Sequence, residues 1–358
     1  EVKERYFNPL NLFDEIHVIT LADRDIEEEK VKEMAGGATL MIHAVGKVDL
    51  ANLHSKKKQI LKIVRDIKPA IIRSYNPLIQ GWLASYCSRE LQVPLVVSLH
   101  SHYDTDLAQS RLRRKKYSSY VKLMLTKGIT QSDAIKNADS VICAYEYLVP
   151  FAQKHGAKDI RVIYNRVNLK RFSENAQKAL TLDRPAIICV GNLTEEKNQE
   201  CLIRAVKGLD AYLVLIGDGE LHDHLHSLAR EIGVGERMIF VRSVANSEIH
   251  RYYASAAIFA LPMRLGGVPI PVLEAFASGL PVVLPKPSSD QYREEVLEGL
   301  AVFADNTPES FREALATLLS DPGLTKELGR RGIERMKMYD SSIMEEREAS
   351  LYKDLIKR

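Results

Sequence analysis

The sequence predicts an α/β protein made of two Rossmann-like, doubly wound domains facing a cleft. Three observations carry that expectation. Short runs rich in Val, Ile and Leu alternate with longer amphipathic stretches, as in parallel sheets covered by helices on both faces. The alternation restarts after residue 168, so the pattern is present twice. The chain, at 358 residues, is long enough for two domains of ordinary size.

Taken in order, the first half contains strand-like runs at 16–20 (IHVIT), 40–45, 70–73, 95–99, 140–144 and 161–164. The second half contains them at 186–190, 212–216, 238–241, 258–262, 281–284 and 300–303. Helical patterns over 55–68, 200–207, 221–232 and 308–319 fall between them. The boundary is expected near YNRVNLKRF (164–172), giving one domain over 1–166 and a second over 167–340. The last stretch, SSIMEEREASLYKDLIKR (341–358), reads as a helix capped by Ser341 or Ser342, and it is expected to complete the first domain. Such a domain normally opens with a strand and a Gly-rich turn. Here about a dozen helical-looking residues precede the first strand, so the opening strand is expected to be missing.

Composition narrows the classes. The hydrophobic share of 46% and the charged share of 27% are those of a globular protein. No apolar run reaches the ~18 residues of a membrane span, and no signal-peptide layout opens the chain. A net charge of +3 argues against a nucleic-acid partner. Cys87, Cys143, Cys189 and Cys201 are not at metal or redox spacing and read as reduced core thiols. His222, His224 and His226 alternate along a helix, so they do not share one face; they read as a solvated surface without a metal.

In sheets of this kind ligands bind outside the carboxyl ends of the strands, and four post-strand loops carry polar residues there. VVSLHSHYD (96–104) ends a buried strand at His100, a candidate donor or general acid–base group, or a satisfied structural histidine. CVGNLTEEKNQE (189–200) turns through Gly191 and Asn192 into a helix expected to begin near Glu196, setting Lys197 where an ammonium and free N–H groups suit a phosphate. LIGDGEL (215–221) places Gly217 at a tight turn, a weak signal taken alone. MRLGGVPIPVLEAFASGLPVV (263–283) has a flexible Gly266–Gly267 pair, then a helix from near Pro271 with Glu274 in its first turn. That carboxylate either complements the helix dipole or accepts hydrogen bonds from the vicinal hydroxyls of a ribose.

Two further segments lie in the first domain. SRLRRKKYSSYVKLMLTKG (110–128) carries Arg113, Arg114, Lys115 and Lys116, either a solvated helix face or a surface for an anionic membrane or phosphorylated acceptor. IIRSYNP (71–77) ends a strand at Tyr75 and Asn76, which face the acceptor or simply make the turn before Pro77.

VGNLTEEKN, LIGDGEL and PVLEAFASGLPVV, in that order and spacing, resemble the family-4 glycosyltransferases of GT-B fold. PLVVSLHSHYD, NADSVICAYEYL and VIYNRVNLKRF extend the resemblance to roughly residues 90–320. It implies a metal-independent retaining hexosyltransferase that moves a sugar from a nucleotide-sugar donor to a hydroxyl acceptor, phosphorylated or lipid-linked, in cell-surface polysaccharide or glycolipid synthesis. It implies no cofactor, a cytoplasmic location at the inner face of the membrane, and peripheral contact with that membrane. Carried over, Lys197 meets the donor diphosphate, Glu274 the ribose, and His100 the sugar; Gly267, Val268 and Ile270 offer backbone amides to sugar and phosphate.

The departures are specific. Gly266 stands where the family has its first glutamate, and Asn192 where it has an arginine. Pro269 removes an N–H, while Arg166 and Arg264 add cations. Two readings follow: an active transferase with a changed sugar pocket, suited to an anionic sugar such as a uronic acid, or a glycosyltransferase-like subunit that binds nucleotide or a partner without efficient turnover.

Overall fold

A computed structural model of the chain describes residues 4–22, 27–49, 51–103, 117–172, 176–264, 267–287 and 294–357. The chain divides into two compact units, residues 1–164 with 342–358, and residues 165–341.

In the first unit, β1 (Glu15–Thr20) and β2 (Thr39–Ala44) form a two-stranded parallel pair. β3 (Ile72–Ser74), β4 (Leu95–Leu99), β5 (Ser140–Cys143) and β6 (Ile160–Val162) form a separate parallel sheet in that order. The expected single sheet of this domain is therefore two sheets. Helices α1 (Leu53–Ile67), α2 (Ile79–Leu91), α3 (Tyr117–Asn137) and α4 (Val149–Lys154) connect the strands. α1 buries Ile60, Leu61 and Val64, one face at helical spacing, against Leu83 and Cys87 of α2. Lys68 then takes a left-handed conformation and Pro69 follows, so the helix cannot continue. All five residues of β4 are buried, which explains why that run reads as continuously apolar rather than alternating.

The second unit contains one six-stranded parallel sheet. Its strands are β7 (Ala186–Val190), β8 (Tyr212–Ile216), β9 (Met238–Val241), β10 (Ile258–Ala260), β11 (Val282–Pro285) and β12 (Ala301–Ala304). Their spatial order is β12-β11-β10-β7-β8-β9. The chain goes from β7 to β8 on one side and later to β10 on the other. This is a switch point, where neighbouring loops diverge and leave a crevice at the carboxyl ends. The helices are α5 (Gln199–Ala205), α6 (His222–Glu231), α7 (Ile249–Tyr253), α8 (Ile270–Ala277), α9 (Pro308–Ser320) and α10 (Pro322–Met336). α9 and α10 each open with a proline behind a capping side chain. The hydroxyl of Thr307 accepts from the Ser310 amide, and the carboxylate of Asp321 accepts from the Leu324 amide.

Helix α11 (Ser341–Ile356) returns the chain to the first unit. Asp340 bridges Val167, and the Ser341 amide donates to the Val167 carbonyl at 2.8 Å, so the two crossings lie side by side. On α11, Glu348 and Tyr352 receive the half-buried guanidinium of Arg73 from β3, and Glu345 accepts the Leu10 amide.

All four cysteines are buried thiols, none of them in a disulfide. His222 and His226, expected on a solvated surface, instead pack ring against ring at a tilt; His226 stacks on Phe240 and His222 meets it edge-on, while His224 faces Glu200. The i,i+4 spacing joins the outer two histidines and leaves out the middle one.

Candidate functional site

In the second unit the loop after β7 begins at Gly191, whose φ of 152° opens a tight turn. Lys197 follows in that turn, not in a helix: α5 starts only at Gln199, behind Asn198 in a left-handed conformation. The expected helix start near Glu196 is thus three residues early. The turn brings the Lys197 chain against Gly191, so a side chain there would meet its methylenes. Burial holds the Lys197 ammonium below the ordinary lysine value, with Cys189 and Glu196 acting in the opposite direction. No carboxylate forms an ion pair with Lys197 among the described residues. A desolvated, unneutralised cation at the carboxyl end of a central strand is a ready partner for an anion.

The loop after β8 locks onto this turn. The Gly191 amide donates to the Ile216 carbonyl at 2.9 Å, and the Leu193 amide to the Asp218 carbonyl at 3.0 Å. A Cβ on Gly217 would collide with the Gly191 carbonyl, and one on Gly219 with that of Leu193. The G-x-G of LIGDGEL therefore lets two loops touch, and it shapes the floor of the crevice. Asn192, in the place of the family's arginine, uses its carbonyl to accept from the Gln199 side chain at 2.9 Å.

The loop after β10 closes the other side. The Arg264 amide donates to the Glu196 carbonyl at 2.8 Å, and the Arg264 guanidinium donates to Asn198 at 3.0 Å with Glu195 at 3.7 Å. Arg264 thus fastens the 263–269 loop to the Lys197 turn. Asn198 is in turn bound by Asn306, whose amide also donates to the Met263 carbonyl. Gly266 lies outside the described residues. Gly267 has a φ of 99°, and Val268 is buried just before α8. Ile270 is the first residue of α8, so Glu274 begins the second turn of that helix, not the first as expected.

Glu274 is buried and accepts the hydroxyl of Tyr253 at 2.8 Å. Tyr253, fully buried on α7, also reaches the Pro271 carbonyl at 3.3 Å. Sequence reasoning missed Tyr253; a tyrosine in HRYYASAA has no local mark that it will meet a carboxylate 21 residues on.

In the first unit His100 follows β4 directly and stacks on Tyr75, with ring centroids 6.2 Å apart. Tyr75 also stacks on Tyr6 and lies 4.3 Å from the Arg73 guanidinium. Asn76 takes the turn role: its side chain accepts the Leu78 amide at 3.0 Å. Arg166 precedes the Val167–Asp340 bridge at the start of the second unit. Arg113, Arg114, Lys115 and Lys116 lie outside the described residues. Tyr117, Val121 and Met124, which follow them on α3, are exposed and share one face at i, i+4, i+7 spacing.

Two family models match consecutive parts of the chain. Residues 12–171 match "Glycosyltransferase Family 4", and residues 170–335 match "Glycosyl transferases group 1". The chain belongs to the glycosyltransferases. Among its relatives, a GDP-mannose-dependent α-(1-6)-phosphatidylinositol monomannoside mannosyltransferase of Mycolicibacterium smegmatis is 33% identical over 42% of each chain. The lipopolysaccharide core biosynthesis glycosyltransferase LpsE of Rhizobium meliloti is 30% identical over 58% of this chain and 62% of that one. The glycosyltransferase thus spans only 42% and 62% of these relatives' lengths. The crystal structure of Anabaena HepE in complex with UDP superposes with a TM-score of 0.74 over 94% of this chain and 92% of that one, at 16% identity. The fold is GT-B, two Rossmann-like domains.

Proposed function

We propose that this glycosyltransferase moves a sugar from a nucleotide-sugar donor to a hydroxyl acceptor with retention of anomeric configuration, the second unit holding the donor and the first the acceptor. The observation that carries the reading is Lys197: a half-buried ammonium without an ion pair among the described residues, in a switch-point turn braced by Gly217 and Arg264. As the glycosidic bond breaks, the leaving diphosphate gains charge, and a preorganised cation stabilises that charge more than it stabilises the ground state. In this reading the ammonium, rather than a metal ion, does that work. Glu274, oriented by Tyr253, accepts the ribose hydroxyls, and His100 meets the sugar and handles its proton.

The acceptor in this reading is a lipid-linked hydroxyl at the inner face of the membrane, in glycolipid or cell-surface polysaccharide synthesis. The Mycolicibacterium relative's name specifies a phosphatidylinositol acceptor. The exposed Tyr117, Val121 and Met124 follow a basic segment, the composition of a surface that rests on anionic lipid. No described helix is long and apolar enough to cross a membrane.

The test is calorimetric titration with UDP-, GDP- and ADP-sugars, uronic acids included, followed by turnover with the donor that binds. Lys197→Ala is expected to cost about 1.5–3 kcal/mol of nucleotide binding, roughly ten- to hundredfold in Kd; Glu274→Ala is expected to weaken binding as well. Unchanged binding in both variants overturns the residue roles. Binding without turnover identifies the nucleotide-binding subunit instead.

A further inference from the structure

Asn198 occupies a backbone position that suits another residue. Its φ of 54° is left-handed, a conformation that glycine takes without penalty and that residues with a Cβ avoid. Among the described residues its side chain caps nothing in the first turn of α5, so the ordinary reason for an asparagine ahead of a helix is missing. The residue is nonetheless buried, and both polar atoms of its carboxamide are partnered.

Those partners close a ring. The Arg264 guanidinium donates to Asn198 Oδ1 at 3.0 Å, and Asn198 Nδ2 donates to Asn306 Oδ1 at 3.0 Å. Asn306 Nδ2 then donates at 3.2 Å to the carbonyl of Met263, the residue before Arg264. A guanidinium only donates and a carbonyl only accepts, so both carboxamides are oriented from the two ends of the ring. The loops after β7, β10 and β12 thus meet at one side chain.

The ring stands beside the cation of the site. Lys197 precedes Asn198, and its stem lies against Gly191. Such a stem is flexible, so the ammonium is placed by the backbone that carries it. Cys189 and Glu196 act on that ammonium against burial, while Glu195 lies 3.7 Å from Arg264. The Glu196 carbonyl, one residue before Lys197, accepts the Arg264 amide at 2.8 Å. Bonds from Arg264 therefore hold the turn on both sides of Lys197.

We propose that Asn198 is a positioning residue of the donor site: through Arg264 and Asn306 its carboxamide locks the turn that carries Lys197 to the loops after β10 and β12, and so presents the ammonium to an anion in one place. This role rests on the reading of Lys197 as the partner of the donor diphosphate. It gives Arg264 to the ring rather than to the ligand.

Asn198→Gly is the direct test, because glycine keeps the left-handed backbone and removes only the carboxamide. Asn306→Ala cuts the same ring at its exposed end and serves if Asn198→Gly does not fold. Two quantities are measured: the pH profile of Lys197 acetylation in the unliganded chain, by mass spectrometry, and calorimetric affinity for UDP- and GDP-sugars. Each variant is expected to move the Lys197 titration up toward the ordinary lysine value, as the loosened turn admits water, and to weaken nucleotide binding roughly five- to tenfold. Arg264→Met added to Asn198→Gly is expected to cost little more, since both changes break one ring. An unchanged Lys197 profile in the variants overturns the role whatever their Tm, because a merely structural ring alters stability alone. Unchanged affinity beside a parent that binds overturns it as well. Additive losses in the double variant place Arg264 on the ligand and overturn its assignment to the ring. If the profile shifts while the parent binds no nucleotide, Asn198 still positions Lys197, and the donor reading is what fails.

Discussion

At the residue scale, Lys197 couples the candidate site to pH. Burial lowers its pKa below 10.5, the ordinary lysine value. A bound diphosphate favours the protonated form, so nucleotide affinity is expected to be highest while Lys197 is charged. It then falls in the alkaline range, before an ordinary lysine titrates. Lys197→Arg keeps its charge throughout and is expected to flatten that fall, which calorimetry with UDP across the alkaline range will read. In the unliganded chain the sign reverses. The burden of burying the cation is present below the lowered pKa and lifts as pH rises toward 10.5, so stability increases across that window. Tyr253 makes a second test. Tyr253→Phe removes the donor to Glu274 and is expected to cost about 1–3 kcal/mol of folding stability in urea, with weaker nucleotide binding, because the carboxylate loses the hydrogen bond that orients it.

At the element scale, the strands were legible and the turn was not. β4, β7, β8 and β9 fall on the ranges read from sequence, and the other eight strands within about two residues. Buried parallel strands are short apolar runs between breakers, and nothing competes with that signal. The Lys197 turn was harder. Glu195, Glu196 and Lys197 are good helix formers, and it is the left-handed Asn198 with the backbone bonds to Glu196 and Asp218 that keeps them out of α5. Likewise G-x-G is a common turn signal, and only the structure shows that Gly217 exists for the sake of Gly191. Gly217→Ala must displace a backbone carbonyl and adopt a φ of 144°. It is expected to lose about 1–3 kcal/mol and to disturb the Lys197 turn. Gly128→Ala, in open space on α3, is expected to gain about 0.5–1 kcal/mol. Chemical denaturation of the pair checks both signs.

At the scale of the whole molecule, the chain leaves the first unit at residue 164 and returns at 342, and α11 is bound there by polar groups as well as apolar ones. Nothing in SSIMEEREASLYKDLIKR announces that Glu348 will meet Arg73, 275 residues away. An amphipathic helix states which face it buries, not what lies beneath it. Burial opposes the Arg73 charge, and Glu348, then Tyr352, outweigh it, so the guanidinium titrates well above its ordinary range. Breaking such a pair from one side leaves the other charge buried, which costs more than the pair itself contributes. Glu348→Ala is therefore expected to destabilise the chain by about 3–5 kcal/mol and to speed hydrogen exchange in β3 and β4. Arg73→Met combined with Glu348→Leu removes both charges and keeps apolar volume, and is expected to recover most of that loss. If the double variant is as unstable as Glu348→Ala alone, α11 is held by the shape of the charged cluster rather than by the pairing of its charges.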